Sequence, residues 1–439
     1  FFCVPGLEVD GHDFAPVAVA AGAVGLMVER GLDLPVPQAV VSPGTARASM
    51  ARAACAFFDY PARSLLTVGV TGTNGKTGVA HLMASILDAH GAPCAVIGTL
   101  DGARTTPEAP ELQKILDEAR RAGRTAAALE VSSHALTQAR VDGIRFDAAV
   151  FTNLSHDHLD HHRTMESYFA AKASLFTEEH AALAVVNVDD PWGRRLADQV
   201  AIPLVTFSSA DATAVDSLPG RTSFVWRQRP VVLGLTGRYH VLNALAAATA
   251  ATALGVDGDT VVHGLERSGT VAGRFELVDT AAPFTVVVDY AHTPEGLAVA
   301  LDSARRLAHG GRVVCVFGCG GDRDQAKRPV MGGVASGAAD VTVVTSDNPR
   351  HEDPAAIIDA VMAGAVDGAR VLVEPDRARA IALALSQAGP GDVVLVAGKG
   401  HETVIEVGDR RLPFDDRLVA AEAVTALVGS DGARGQVAP

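Results

Sequence analysis

Cysteine is scarce in this chain of 439 residues, and the five present follow no pattern: Cys3, Cys55, Cys94, Cys315 and Cys319 are odd in number and scattered. That excludes a secreted disulfide framework and a paired Cys-x-x-Cys zinc site; five reduced thiols in a cytoplasmic protein are expected. Long apolar runs are missing as well. None reaches the roughly 18 residues of a membrane span, and no signal-peptide pattern is visible. Positive charge is in deficit, with Lys+Arg 37 against Asp+Glu 51 and a net charge of -14. A nucleic-acid duplex or an anionic membrane requires the opposite balance, so neither is an expected partner. A small phosphate ligand stays compatible, because a few oriented amides and cations hold one on an acidic protein. An initiating Met is also lacking: the chain opens at Phe1-Phe2-Cys3-Val4-Pro5-Gly6, inside an apolar stretch, and an N-terminal piece is expected to be missing.

What is present is a globular composition, 48% hydrophobic and 20% charged, on a chain long enough for two or three domains. From about residue 65, short apolar runs alternate with helical patterns, which predicts α/β architecture. Strands are expected at 65–70, 125–130, 146–151 and 183–188, irregular structure or short strands over 208–237, and a long apolar helix over 240–254. Further on, strands at 284–289, 312–317, 340–345 and 392–397 alternate with helices near 294–308, 354–366 and 376–388. That pattern predicts a doubly wound parallel sheet with its functional loops at the strands' carboxyl ends. Boundaries near 65 and 272 divide the chain into segments 1–65, 66–272 and 273–439.

The first chemical motif is Thr71-Gly72-Thr73-Asn74-Gly75-Lys76-Thr77, between a strand and a helix. Glycines let backbone amides point inward, and the helix N-terminus adds its dipole. Lys76 suits β- and γ-phosphates, and the Thr77 hydroxyl suits Mg²⁺. The strict phosphate-loop pattern fails at one position, where Val70 replaces its first glycine. Glu130 closes the apolar strand before Val131-Ser132-Ser133-His134, and a carboxylate there can ligate Mg²⁺ beside the loop. A rival chemistry is present in His156-Asp157-His158-Leu159-Asp160-His161, which fits the H-x-H-x-D-H motif of zinc hydrolases through His156, His158 and His161. Its position deep in the chain, behind an intact phosphate loop, argues against it.

The loop resembles the ATP loop of the Mur ligases and folylpolyglutamate synthases, and motifs in all three segments extend the resemblance over essentially the whole chain. It is most similar to the Mur ligases that add the third residue of the peptidoglycan stem peptide. The resemblance implies a three-domain fold: segment 1–65 a partial UDP-binding domain, 66–272 a central phosphate-loop ATPase-like domain, 273–439 a Rossmann-like amino-acid domain. It implies an ATP- and Mg²⁺-dependent amide ligase joining meso-diaminopimelate to UDP-N-acetylmuramoyl-L-Ala-D-Glu through an acyl phosphate, acting as a cytoplasmic monomer on small molecules. The folylpolyglutamate synthase reading shares the ATP loop and the acyl phosphate. ATP is implied to lie on Gly72, Thr73, Asn74, Gly75, Lys76, Thr77, Asn243, Arg274 and Asp289. Metal ligands would be Thr77, Glu130, His158 and a carbamylated Lys172, with roles also for Asp157, Asp160 and His162. Lys76, Lys172, His158 and Arg274 are the implied catalytic set. The muramoyl dipeptide falls to Thr105, Thr106, Ser132, Gln138, Arg140 and Lys172. His240 stands where the family more often has Asn.

Asp347-Asn348-Pro349-Arg350, read alone, is a turn. In these ligases it accompanies diaminopimelate addition, and lysine-adding relatives replace the Arg. Diaminopimelate carries a second amino-acid head, and a guanidinium matches its carboxylate bidentately. Arg323, Gly398 and Glu402 complete the implied pocket, Arg323 for a carboxylate and Glu402 for the distal ammonium. One cavity is expected to join Lys76 with Glu130, His158 and Arg350.

Overall fold

The structure, a computed structural model, describes residues 1–6, 9–100, 102 and 104–434. Its centre is a six-stranded, all-parallel sheet ordered Cys94–Ile97, Ala126–Glu130, Leu66–Thr71, Ala148–Phe151, Ala184–Asn187, Leu204–Phe207. Its strands are short runs of small and β-branched residues, and 126–130 and 148–151 are buried throughout, as befits a sheet covered on both faces. Helices Lys76–Ala89 and Tyr239–Ala253 close one face, where Leu82, Ile86, Leu245 and Ala248 meet Val68 and Val150. Leu112, Leu116, Tyr168 and Phe169, from helices Ala109–Arg121 and Met165–Ala173, close the other. The weakly patterned 208–237 segment holds a three-stranded antiparallel meander, Ala212–Leu218, Arg221–Trp226 and Arg229–Leu233. Its alternating pattern buries Phe224, Trp226, Val231 and Leu233 in the first core.

A second six-stranded sheet runs Glu276–Val278, Thr285–Asp289, Val393–Ala397, Val313–Phe317, Val341–Val344, Val371–Val373. Only the first of these is antiparallel to its neighbour. The last of these strands in chain order, Val393–Ala397, lies in the middle. The loop that follows it, 398–403, therefore sits beside those following Asp289, Phe317 and Val344. A hairpin, Val404–Val407 with Arg410–Pro413, and the helix Asp416–Arg434 complete this part. At the amino end a two-stranded parallel sheet, Leu26–Val28 with Gln38–Val40, encloses a small core of Cys3, Ala15, Leu26 and Val28. Among the described residues no helix is long and apolar enough to cross a membrane.

Candidate functional site

The strand Leu66–Thr71 ends in the middle of its sheet, and the chain turns sharply into the helix that starts at Lys76. Only glycine fits the turn: a Cβ on Gly72 (φ 153°) would lie 1.8 Å from Thr152 Oγ1, and one on Gly75 (φ 89°) 2.6 Å from Asn243 Oδ1. Asn153, just beyond the neighbouring strand, pins the loop by accepting from the Thr73 and Asn74 amides at 2.9 Å each. Lys76 Nζ reaches over the loop to the carbonyls of Gly72 and Thr73, both at 2.9 Å. Desolvation lowers its ammonium pKa, with Glu130 opposing.

Glu130 is buried at its strand end. It accepts from Thr77 Oγ1 at 2.9 Å and from the Thr99 amide and hydroxyl at 2.8 and 3.1 Å. Arg274, from the third segment, donates to the same Thr77 hydroxyl at 2.9 Å and lies over the Tyr290 ring. Lys172 is fully buried and donates to Gly72 O at 2.7 Å. Burial and the nearby Lys76 charge hold its amine well below the ordinary lysine value.

Lys76, Thr77, Glu130, Asp157, His158, Asn243, Arg274 and Asp289 line one cavity of about 440 Å³, together with Thr73, Asn74, Gly75 and Thr105. Asp289 accepts the Phe275 and Ala291 amides at 2.7 and 2.8 Å, so it shapes its own loop as well as facing the cavity. The cavity spans both sheets. The amino end of the helix Pro294–Leu307 supplies its far wall through Glu295 and Gly296.

Thr106, Ser132, Gln138 and Arg140 stand beside the cavity rather than on its wall. Arg140 donates to Thr106 O at 2.8 Å and Gln138 Oε1 at 2.7 Å, and the Thr106 hydroxyl donates to Glu130 O at 2.8 Å and accepts the Ser132 amide at 3.0 Å. Arg350 does not line the cavity, against expectation, because the hairpin 404–413 holds it: Arg350 Nε donates to Glu406 Oε2 at 2.9 Å. Around it lie Asp347, Asn348, Gly398 and Glu402. Asn348 Nδ2 donates to Glu402 Oε2 at 2.8 Å, and buried Lys399 donates to the same oxygen at 2.8 Å and to Asn348 Oδ1 at 3.0 Å. A Cβ on Gly398 (φ 115°) would meet Asp347 Oδ2 at 2.7 Å. Burial works against the ionised form of Glu402, yet Lys399 and Asn348 hold its pKa below the usual value. Arg323 is exposed and, among the described residues, bonds only its neighbour's carbonyl, Asp322 O, at 3.2 Å. Four non-glycine residues at or beside these positions, His158, Phe275, Asp322 and Arg350, adopt left-handed φ of 48–55°, the kind of strain that collects at functional sites.

The zinc reading through His156, His158 and His161 is corrected. Among the described residues no group of three or more His, Cys, Asp or Glu side chains is placed to hold a metal. His156 turns to Asp324 of the third segment at 2.8 Å. The His134 ring stacks on His161 at 4.3 Å and meets His158 edge-on at 4.9 Å. Sequence reasoning gave no role to Asn153, Tyr290, His292, Lys399 or Glu406. Tyr290 and His292 directly follow the strand-end Asp289, a signal that was available; the other contacts join residues far apart in sequence.

Two family profiles match the chain: "Mur ligase middle domain" over residues 70–251 and "Mur ligase, glutamate ligase domain" over 273–400. A UDP-N-acetylmuramoyl-L-alanyl-D-glutamate--2,6-diaminopimelate ligase of Gloeobacter violaceus is 45% identical, with 97% of this chain and 91% of the relative aligned. The protein of the same name from Geobacter metallireducens is 41% identical at the same coverage. A solved structure of a ligase of that name is 34% identical and superposes with a TM-score of 0.63, covering 95% of this chain and 90% of that one. MurF ligase from Thermotoga maritima, in complex with ADP, shares the fold at 20% identity with a TM-score of 0.65, covering 98% of this chain and 94% of that one.

Proposed function

The chain belongs to the Mur ligase family, and from that premise we propose that it is the ATP-dependent ligase that joins meso-diaminopimelate to UDP-N-acetylmuramoyl-L-Ala-D-Glu in peptidoglycan precursor synthesis. The supporting observation is the single cavity in which Lys76, Glu130, His158, Asn243 and Arg274 meet, on a chain aligned almost end to end with diaminopimelate ligases. The reaction takes place in the cytoplasm on small molecules, with the chain acting as a monomer. Residues 1–65, 66–272 and 273–439 act as nucleotide-sugar, ATP and amino-acid domains.

The loop amides not taken up by Asn153, those of Gly75, Lys76 and Thr77, and the Lys76 ammonium hold the β- and γ-phosphates, and Asn243 and Asp289 take the base and the ribose. The D-glutamate γ-carboxylate attacks the γ-phosphorus, the bond to ADP breaks, and an acyl phosphate forms. The amine of diaminopimelate then attacks the acyl carbon, loses a proton and expels phosphate. Little covalent chemistry falls to the protein, so positioning and charge neutralisation by Lys76 and Arg274 supply the rate. Thr106, Ser132, Gln138 and Arg140 orient the muramoyl dipeptide from beside the cavity.

The donor set fits Mg²⁺. The Thr77 hydroxyl and the buried Glu130 carboxylate offer hard oxygens beside the loop, and burial keeps His158 neutral, with a free lone pair. Bound there, the ion would neutralise phosphate charge. Lys172 suits carbamylation because CO₂ adds only to an uncharged amine, the form its burial favours. Asp347, Asn348, Arg350, Gly398 and Glu402, with Arg323 at the rim, receive the amino-acid head of diaminopimelate.

The test is phosphate release with UDP-N-acetylmuramoyl-L-Ala-D-Glu and ATP, comparing meso-diaminopimelate with L-lysine. Diaminopimelate should be preferred by at least about 100-fold in kcat/KM, the scale of a lost charge-assisted bidentate contact. Equal turnover of the two would refute the assignment.

A further inference from the structure

We infer that Glu406 is a positioning residue that sets the Arg350 guanidinium for the acceptor's carboxylate; the inference rests on reading the 347–350 loop as the diaminopimelate site. An arginine side chain is long and rotamer-rich, and a bidentate grip requires its plane to be fixed beforehand. Here it is fixed from three sides. Glu406 Oε2 accepts from Nε at 2.9 Å, and Gly321 O accepts from Nη1 at 2.8 Å. The backbone of Arg350, at φ 51°, is clamped to the same hairpin. Its amide donates to Glu406 O at 3.0 Å, and its carbonyl accepts from the Gly408 amide at 2.7 Å.

These bonds use the Nε hydrogen and one hydrogen of Nη1. Nη2 has no partner among the described residues, so both of its hydrogens and the second one of Nη1 are left for a carboxylate. Charge follows the same logic. Glu406 Oε1 also pairs with Arg411 at 3.3 Å, so two guanidinium groups and one carboxylate leave one net positive charge.

The hairpin is also tied, through the turn that carries Arg350, to Glu402. The Glu406 amide donates to Asn348 Oδ1 at 3.0 Å, while Asn348 Nδ2 holds Glu402 at 2.8 Å. One Asn side chain thereby spaces the cation meant for the carboxylate from the anion meant for the ammonium.

The experiment measures KM for meso-diaminopimelate by phosphate release in the full chain, for Glu406→Ala, Glu406→Gln, Arg350→Ala and Glu406→Ala/Arg350→Ala. Glu406→Ala should raise that KM about 10-fold, the effect of one charge-assisted hydrogen bond. Glu406→Gln keeps an acceptor and should raise it by only about 3-fold. In the two single Glu406 variants the kcat and the KM for ATP should stay within about 2-fold, which an unfolded or merely loosened chain would not manage. Once Arg350 is gone, losing Glu406 should add less than about 2-fold, because residues acting through one contact are not additive. An unchanged diaminopimelate KM in Glu406→Ala, or an equal effect with and without Arg350, overturns the inference while the ligase assignment stands. A wild-type chain that releases no phosphate with diaminopimelate overturns both.

Discussion

His240 shows how far a single side chain departs from its surroundings. It sits on the buried helix 239–253 with no exposed surface, and among the described residues its ring nitrogens meet only the backbone of Arg274, too loosely for a regular hydrogen bond. Burial therefore holds its pKa down at about 3. The sign follows from proton counting. Between about 6.5 and 3 the unfolded chain binds a proton here that the folded chain does not, so stability is lost as pH falls through that window. A fully buried group of this kind contributes about 1.4 kcal/mol per pH unit. Replacing it by the residue more usual in the family, His240→Asn, should make the decline between pH 6 and 4 shallower by about that amount. Urea unfolding followed by Trp192 and Trp226, both in the central segment, measures it. Parallel slopes for the two proteins would show that the ring is protonated in the fold.

At the scale of elements, a buried ion pair organises the third segment. Arg377 opens the helix Arg377–Gln387, Asp416 opens the helix Asp416–Arg434, and both side chains are wholly buried. Two bonds of 2.7 and 2.6 Å join them, and the guanidinium also caps the strand end at Ala397 O. Asp416→Ala strands a buried cation and should cost about 3–5 kcal/mol. Exchanging both partners for apolar residues should cost less. Hydrogen exchange of the 393–397 amides reads the difference, and unchanged protection in Asp416→Ala would contradict it. The elements themselves were unequally legible. Ala126–Glu130, Ala148–Phe151 and Val393–Ala397 announce themselves as buried apolar runs. Cys94–Ile97, Glu276–Val278 and Val371–Val373 escape notice because they are short and only partly buried, with neither a long continuous apolar run nor enough length for a period. The phosphate loop was legible because its glycines, lysine and helix are consecutive. The Arg350–Glu406 pair was not, since its partners are 56 residues apart and only the tertiary fold brings a hairpin against that turn.

On the scale of the whole molecule, the site is shared between two sheets. Arg274 reaches Thr77, His156 reaches Asp324 and His292 faces Asp157 at 3.8 Å, each pair joining the central segment to the third. On the proposed function ATP and the nucleotide sugar would belong mainly to the first two segments and the amine to the third, so closure would assemble the site and keep water from the acyl phosphate. Small-angle scattering should give a more compact particle with ATP analogue and UDP-substrate bound than without. Superimposable curves would count against a rigid-body rotation. A further consequence concerns synthesis rather than catalysis. Because Val393–Ala397 is the last of its sheet to leave the ribosome yet lies between Thr285–Asp289 and Val313–Phe317, a nascent chain halted before it holds two half-sheets with facing unpaired edges. Such edges invite pairing with other chains. Premature termination between residues 374 and 392 should therefore yield aggregates rather than a shortened but folded enzyme.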